Sequence, residues 1–256
     1  MEIISQIALF ILGMVLIIYG GDAFVDAALC IGRKIGISTF VLGATVVSLT
    51  TTLPELFVST IASAGGHTEL AIGNAVGSII CNTGLILGLC AVLTPMVLNG
   101  PSQVKKALLS IGCLLALAAL TLSGSITWVG GLGLYLLLAV YLWLNFREMK
   151  QAPARTENTK EAGLSIGNII GANILNIVLV MATSAIVAPG GLTTTVVKSG
   201  ILQGMDQLLV LDIPVAAVLA GILLFCARKK SVPRMAGIVL LAVYAGYLGF
   251  TGYAIL

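Results

Sequence analysis

The sequence predicts an all-α integral membrane protein of about eight transmembrane helices, two of which form an inverted-topology repeat. Three observations carry that prediction: an extreme apolar composition, basic residues confined to one side of the expected membrane, and a segment that recurs 94 residues further along the chain. Hydrophobic residues make up 59% of the 256 positions and charged residues only 9%, too little polar surface to cover a water-soluble domain of this size.

A membrane-crossing helix needs roughly 17 to 25 mainly apolar residues, and such runs fall at about 3–20, 36–64, 69–93, 105–123, 126–146, 164–188, 207–227 and 234–255. They follow one another almost end to end, leaving no room for a soluble domain, and the alternation of barrel strands is absent. The first run starts Met1-Glu2-Ile3 without a basic n-region and leads into a Gly-rich turn instead of a small-residue cleavage site. It is therefore expected to be a retained helix and not a removable signal peptide. The five cysteines (Cys30, Cys81, Cys90, Cys113, Cys226) are odd in number and lack a C-x-x-C spacing. Neither a disulfide framework nor a zinc site is indicated, and they are expected to pack as small hydrophobes.

The net charge of +3 would suit a nucleic-acid partner, but the placement of the basic residues explains them better. Arg33 and Lys34 follow the first span, Lys105 and Lys106 the third, Arg147, Lys150, Arg155 and Lys160 the fifth, and Arg228, Lys229, Lys230 and Arg234 the seventh. Twelve of the thirteen thus share one side, with Lys198 the exception. By the positive-inside rule that side is cytoplasmic, which puts both termini outside, in a plasma or inner membrane. The expected partners are the lipid bilayer and inorganic cations, with no nucleic acid; nothing in the sequence indicates a homo-oligomer.

Residues 70–95 and 164–189 match at 10 of 26 positions, including Gly73/Gly167, Asn74/Asn168, Gly77/Gly171 and Asn82/Asn176. These are the third and sixth spans, an odd number of crossings apart, so they run in opposite directions. Inverted repeats of this kind are a hallmark of secondary transporters, with substrate bound near the midplane where the repeats meet. The G-N-x-x-G glycines are expected to allow close helix approach. Asn82 and Asn176 lie deeper, where an amide needs a partner, as interhelical glue or as ligand.

The second span holds the largest polar anomaly: Ser48-Leu49-Thr50-Thr51-Thr52-Leu53-Pro54-Glu55 in an otherwise apolar run. Pro54 offers no N–H to the Thr50 carbonyl, so a kink or unwinding is expected there. Threonines bonded back to their own helix would account for a kink alone. They would not account for Glu55, because a carboxylate at this depth costs a few kcal/mol. Oxygen ligands and negative charge without sulfur or imidazole describe a hard-cation site. The remaining acids are read as helix-end groups in solvent: Asp22 and Asp26 after the first span, Asp206 and Asp212 at the start of the seventh.

TTTLPEL at 50–56 followed by GNAVGSIICN at 73–82, and GNIIGANILN at 167–176, resemble the two alpha repeats of the sodium/calcium exchanger (cation/calcium antiporter) family. The resemblance covers nearly the whole chain, including V-L-D-I-P at 210–214. It implies Glu55 as the principal carboxylate ligand, Thr51 and Thr52 as hydroxyl or carbonyl ligands, Ser78 and Asn82 from the third span, Asn176 from the sixth, and a backbone carbonyl from Ser48.

Family members carry ten spans as five plus five, with a second GTSLPE ahead of the second GNxxG. This chain has no second GTSLPE, so the resemblance divides it into a complete first repeat at 1–146, a cytoplasmic linker at 147–163, and a shortened second repeat at 164–256. Two further departures touch the site: Ala172 stands where Ser is expected, and Asn176 where some members have Asp.

The expected function is secondary antiport, sodium against calcium, with no cofactor and with potassium or protons as further candidate ions. The alternatives are a non-transporting truncated homologue and a monovalent cation or proton antiporter. Enzymatic function is not expected. The one histidine, His67, falls in a short turn, no nucleophile and base are paired, and no Walker-type phosphate loop occurs.

Overall fold

In lipid every backbone polar group must be paired within the chain, and these apolar runs meet that demand as helices. The computed structural model describes residues 2–35, 43–98, 101–151, 160–194, 196–197 and 201–255. Arg155, Lys198, the first part of the second predicted span (36–42) and the middle of the predicted linker (152–159) lie outside the described residues.

The helices are α1 (Glu2–Ile35), α2 (43–64), α3 (Thr68–Leu93), α4 (Pro101–Thr121), α5 (Trp128–Gln151), α6 (160–187), α7 (Leu208–Arg228) and α8 (Arg234–Ile255). Seven helices among the described residues, α2 to α8, are long and apolar enough to cross a membrane; in α1 the corresponding apolar stretch is the shorter Ile4–Gly13. Several boundaries differ from the sequence expectation. α1 runs past the predicted end at residue 20 to Ile35, so Asp22 and Asp26 lie within a helix, and α5 continues to Gln151 where the linker was expected. Polar residues at a membrane surface do not end a helix unless something caps or breaks it.

Four turns are widened to π-helical spacing: Gly43–Val47 opening α2, Cys81–Leu87 inside α3, Asn176–Met181 inside α6 and Leu208–Asp212 opening α7. Such turns hold one residue more than an α turn and concentrate at functional sites. Pro54, in contrast, does not unwind α2, which stays helical from Ser48 to Ala64 with the proline inside. α2 and α3 are joined by a tight turn in which Gly66 takes φ +81°, a conformation that side chains with a Cβ rarely adopt.

Short antiparallel strand pairs tie the two halves at both ends of the bundle. β1 (Met96–Val97), after α3, pairs with β4 (Ser231–Val232), after α7; β2 (Ser125–Ile126), after α4, pairs with β3 (Leu192–Thr193), after α6. The strands of each pair are separated by an even number of crossings, as the predicted alternation requires. Lys106 and Glu148, from α4 and α5, form an ion pair of 3.0 Å, joined by Ser102 donating to Glu148 Oε2 at 2.8 Å.

Packing follows the rule for helices in lipid, where small residues and polar bonds replace the hydrophobic effect as the source of association. α6 is the centre, with 83% of its apolar window buried, while α8 lies outermost with 11%. α8 reaches α3 through facing glycines: a Cβ on Gly237 would lie 2.7 Å from the Gly88 carbonyl oxygen. The five cysteines are all free.

Candidate cation site

The residues picked out by α2's polar stretch converge on one cavity. Its volume is about 260 Å³, and it is lined by Thr51, Thr52 and Glu55 of α2, Asn82 and Ile86 of α3, and Asn168, Ile169 and Ala172 of α6. At roughly 30 Å³ per water, there is room for a cation that keeps part of its hydration.

Helical spacing explains the convergence on the α2 side. Thr51, Thr52 and Glu55 are three and four residues apart and share a face. Glu55 Oε1 accepts a hydrogen bond from Ser78 Oγ at 2.9 Å, and Oε2 is buried with no hydrogen-bond partner among the described residues. An ionised oxygen left in that condition is costly, by more than the roughly 1–3 kcal/mol of a neutral group. Asn74 Nδ2 donates to the Glu55 carbonyl at 3.2 Å and to Ser59 Oγ at 2.9 Å, fastening α3 to α2 directly below the carboxylate.

The threonines do bond back to their own helix. Thr50 Oγ1 donates to the Val46 carbonyl at 2.9 Å and Thr52 Oγ1 to the Ser48 carbonyl at 2.7 Å. Thr51 Oγ1 is 3.2 Å from the Ser48 carbonyl and 3.0 Å from Asn168 Oδ1, and its single proton serves one of them at a time. These bonds use protons and leave hydroxyl lone pairs for a cation. They also occupy the Ser48 carbonyl, the oxygen expected from that residue, and Ser48 Oγ itself donates to the Asn168 carbonyl at 3.1 Å.

Asn176 is not among the cavity-lining residues. It is 1% exposed, in the wide turn of α6, with neither amide atom bonded among the described residues. Two residues that sequence reasoning left out of the site belong to it or support it. Asn168, the second residue of the repeated G-N pair, lines the cavity; Asn173 bonds Asn82 Nδ2 through its Oδ1 at 3.3 Å and donates to Thr83 Oγ1 at 2.7 Å. The G-N dipeptide in both copies was the available signal for Asn168.

The helix-end reading of the α7 acids needs one correction. Asp206 is a cap, accepting the N–H groups of Leu208 and Leu209 at 3.0 and 3.3 Å. Asp212 is 6% exposed and accepts from Tyr247 Oη at 3.1 Å and Gln207 Nε2 at 3.4 Å. Its side chain points into the α7–α8 contact because the widened turn carries it past the solvent-facing side. Tyr141, fully buried in α5, donates to the Ala44 carbonyl of the wide turn opening α2.

Inverted helices meeting at a partly polar cavity that holds an acidic side chain are the architecture of secondary transporters. The chain belongs to the sodium/calcium exchanger protein family, which matches residues 5–147 and 153–253. The inner membrane protein YrbG of Escherichia coli is 40% identical over 143 residues, 54% of this chain and 42% of YrbG. The putative antiporter CaxA of Alkalimonas amylolytica is 26% identical over 312 positions, 93% of this chain and 95% of CaxA. The solved sodium-calcium exchanger NCX_Mj shares the fold, with a TM-score of 0.77 at 23% identity over 96% of this chain and 98% of that one. Against the first of the curated relatives it matches, the chain spans less than half of their length.

Proposed function

We propose that the chain is a secondary active cation antiporter, not an enzyme, exchanging sodium for calcium by alternating access with Glu55 as the main ion ligand. The observation that carries this reading is the Glu55 carboxylate. One of its oxygens is held by Ser78, the other is buried without a partner among the described residues, and the residue lines a cavity to which hydroxyl and amide side chains also contribute. In this reading Thr51, Thr52 and Asn82 supply oxygens around Glu55 while Ser78 aims it. Asn176 and the Ser48 carbonyl join the ligand set if Asn176 turns toward the cavity and the hydroxyls release the carbonyl. The end carrying β1, β4, Lys106 and Lys229 is the cytoplasmic one, which leaves both termini outside.

The second repeat is proposed to lack two spans. The alignment with CaxA is longer than this chain, as an internal deletion requires. Gly171 is packed tightly, while a Cβ added to its repeat mate Gly77 would meet no described atom of another element within 4 Å. A second reading, monovalent cation or proton antiport, is favoured by one fact: Glu55 is the one carboxylate among the described residues lining the cavity. Calcium usually takes six to eight oxygens, several of them charged.

Sodium-gradient-driven uptake of radiolabelled calcium into proteoliposomes decides between the readings. Uptake that is lost in Glu55→Gln supports exchange at this site. Sodium or proton flux without calcium uptake supports the monovalent reading, and no flux by folded protein would sink both.

A further inference from the structure

Asn82 presents a chemical ambiguity at the cavity wall. Its amide has an oxygen that attracts a cation and an NH2 that repels one, nearly identical in shape and exchanged by a half-turn of the side chain. In this structure the ambiguity is settled from the other repeat. Asn82 Nδ2 donates to Asn173 Oδ1 at 3.3 Å, and Asn173 Nδ2 donates to Thr83 Oγ1 at 2.7 Å. With its nitrogen engaged, Asn82 keeps its oxygen for the cavity it lines.

Asn173 itself is 4% exposed, is not among the lining residues, and has both ends of its amide on side chains of α3. Its repeat counterpart is Ile79, so the device exists on one side only. An apolar residue evidently suffices to pack this position. We propose that Asn173 is a positioning residue: it holds Asn82 by the amide nitrogen and thereby sets the cation affinity of a site it does not touch. This rests on the cation reading of the cavity given above.

The test is equilibrium binding of radiolabelled calcium and sodium to purified protein, together with side-chain amide NMR spectra of asparagine-labelled protein in nanodiscs. Asn173→Leu is expected to weaken binding about five- to tenfold, the scale of one hydrogen bond to a cation site. In an Asn82→Ala background the same change is expected to do nothing further. The Asn82 amide pair, assigned by its loss in Asn82→Ala, should shift and sharpen in Asn173→Leu. Should Asn173→Leu fail to fold, Thr83→Val removes the far anchor and is expected to weaken binding about twofold.

Unchanged affinity, an equal loss with Asn82 already removed, or an unmoved Asn82 amide pair would each overturn the proposal. A wild type that binds neither ion defeats the cation reading itself. In that protein an Asn82 amide pair that shifts in Asn173→Leu keeps the positioning role, and one that stays unmoved leaves Asn173 as a packing residue and overturns it.

Discussion

Helices α3 and α6 are copies of one sequence in two different settings. α6 has 83% of its apolar window buried, α3 only 44%. The contrast is sharpest at the second glycine of G-N-x-x-G. A Cβ on Gly171 would lie 2.8 Å from the Ala44 carbonyl oxygen and press on Ser48, whereas a Cβ on Gly77 would meet no described atom of another element within 4 Å. The same motif thus serves as a contact in one copy and as an open face in the other. What differs is how α2 meets each copy: Ala44 and Ser48 press on Gly171, whereas α3 is joined to α2 through Asn74 and Ser78, away from Gly77.

The largest effect that tests this contrast is on stability. Gly171→Ala is expected to cost about 2 kcal/mol by overpacking and to lower the thermal unfolding midpoint in detergent by about 4–8 °C. Gly77→Ala should stay within about 0.5 kcal/mol. Equal losses would mean that a partner lies against Gly77 and would break the comparison.

A smaller effect separates the second matched pair, Ser78 and Ala172. Ser78→Ala frees Glu55 Oε1 and is expected to weaken cation binding about tenfold, measured as a shift in the equilibrium constant. The smallest is the reverse change in the other copy. Ala172→Ser adds an oxygen to the cavity wall and should tighten binding about two- to threefold. If Ser78→Ala leaves binding unaltered, Glu55 does not depend on α3 for its aim.

Much of this arrangement was legible in the sequence because lipid makes its rules simple. Seven of the eight apolar runs are helices long enough to cross, and the odd spacing of the repeat fixed the opposite directions of α3 and α6. The cost of a buried carboxylate pointed to Glu55, and the hydroxyls around it followed from helical spacing. What could not be read depended on small rotations about helix axes. Asp212 was read as an end group in solvent, yet the wide turn at Leu208–Asp212 turns it toward Tyr247. Asn173 was not singled out in the sequence, and only the meeting of α6 with α3 reveals what its two ends bond. Of the kink or unwinding expected at Pro54, the unwinding does not occur: the helix runs from Ser48 to Ala64 with the proline inside. The local irregularity sits about two to three turns earlier, at Gly43–Val47, where no proline marks it.

The wide turns also record history. Those at Cys81–Leu87 and Asn176–Met181 occupy matching places in two copies that align without a gap. A π-helical turn accommodates one residue more than an α turn, so each copy carries the same extra residue at the same point. Two independent insertions at one register are a poor explanation beside a single inherited one. The extra residue was therefore present in the ancestral half before duplication, and the wide turn that carries Asn82 is older than the two-copy protein that uses it.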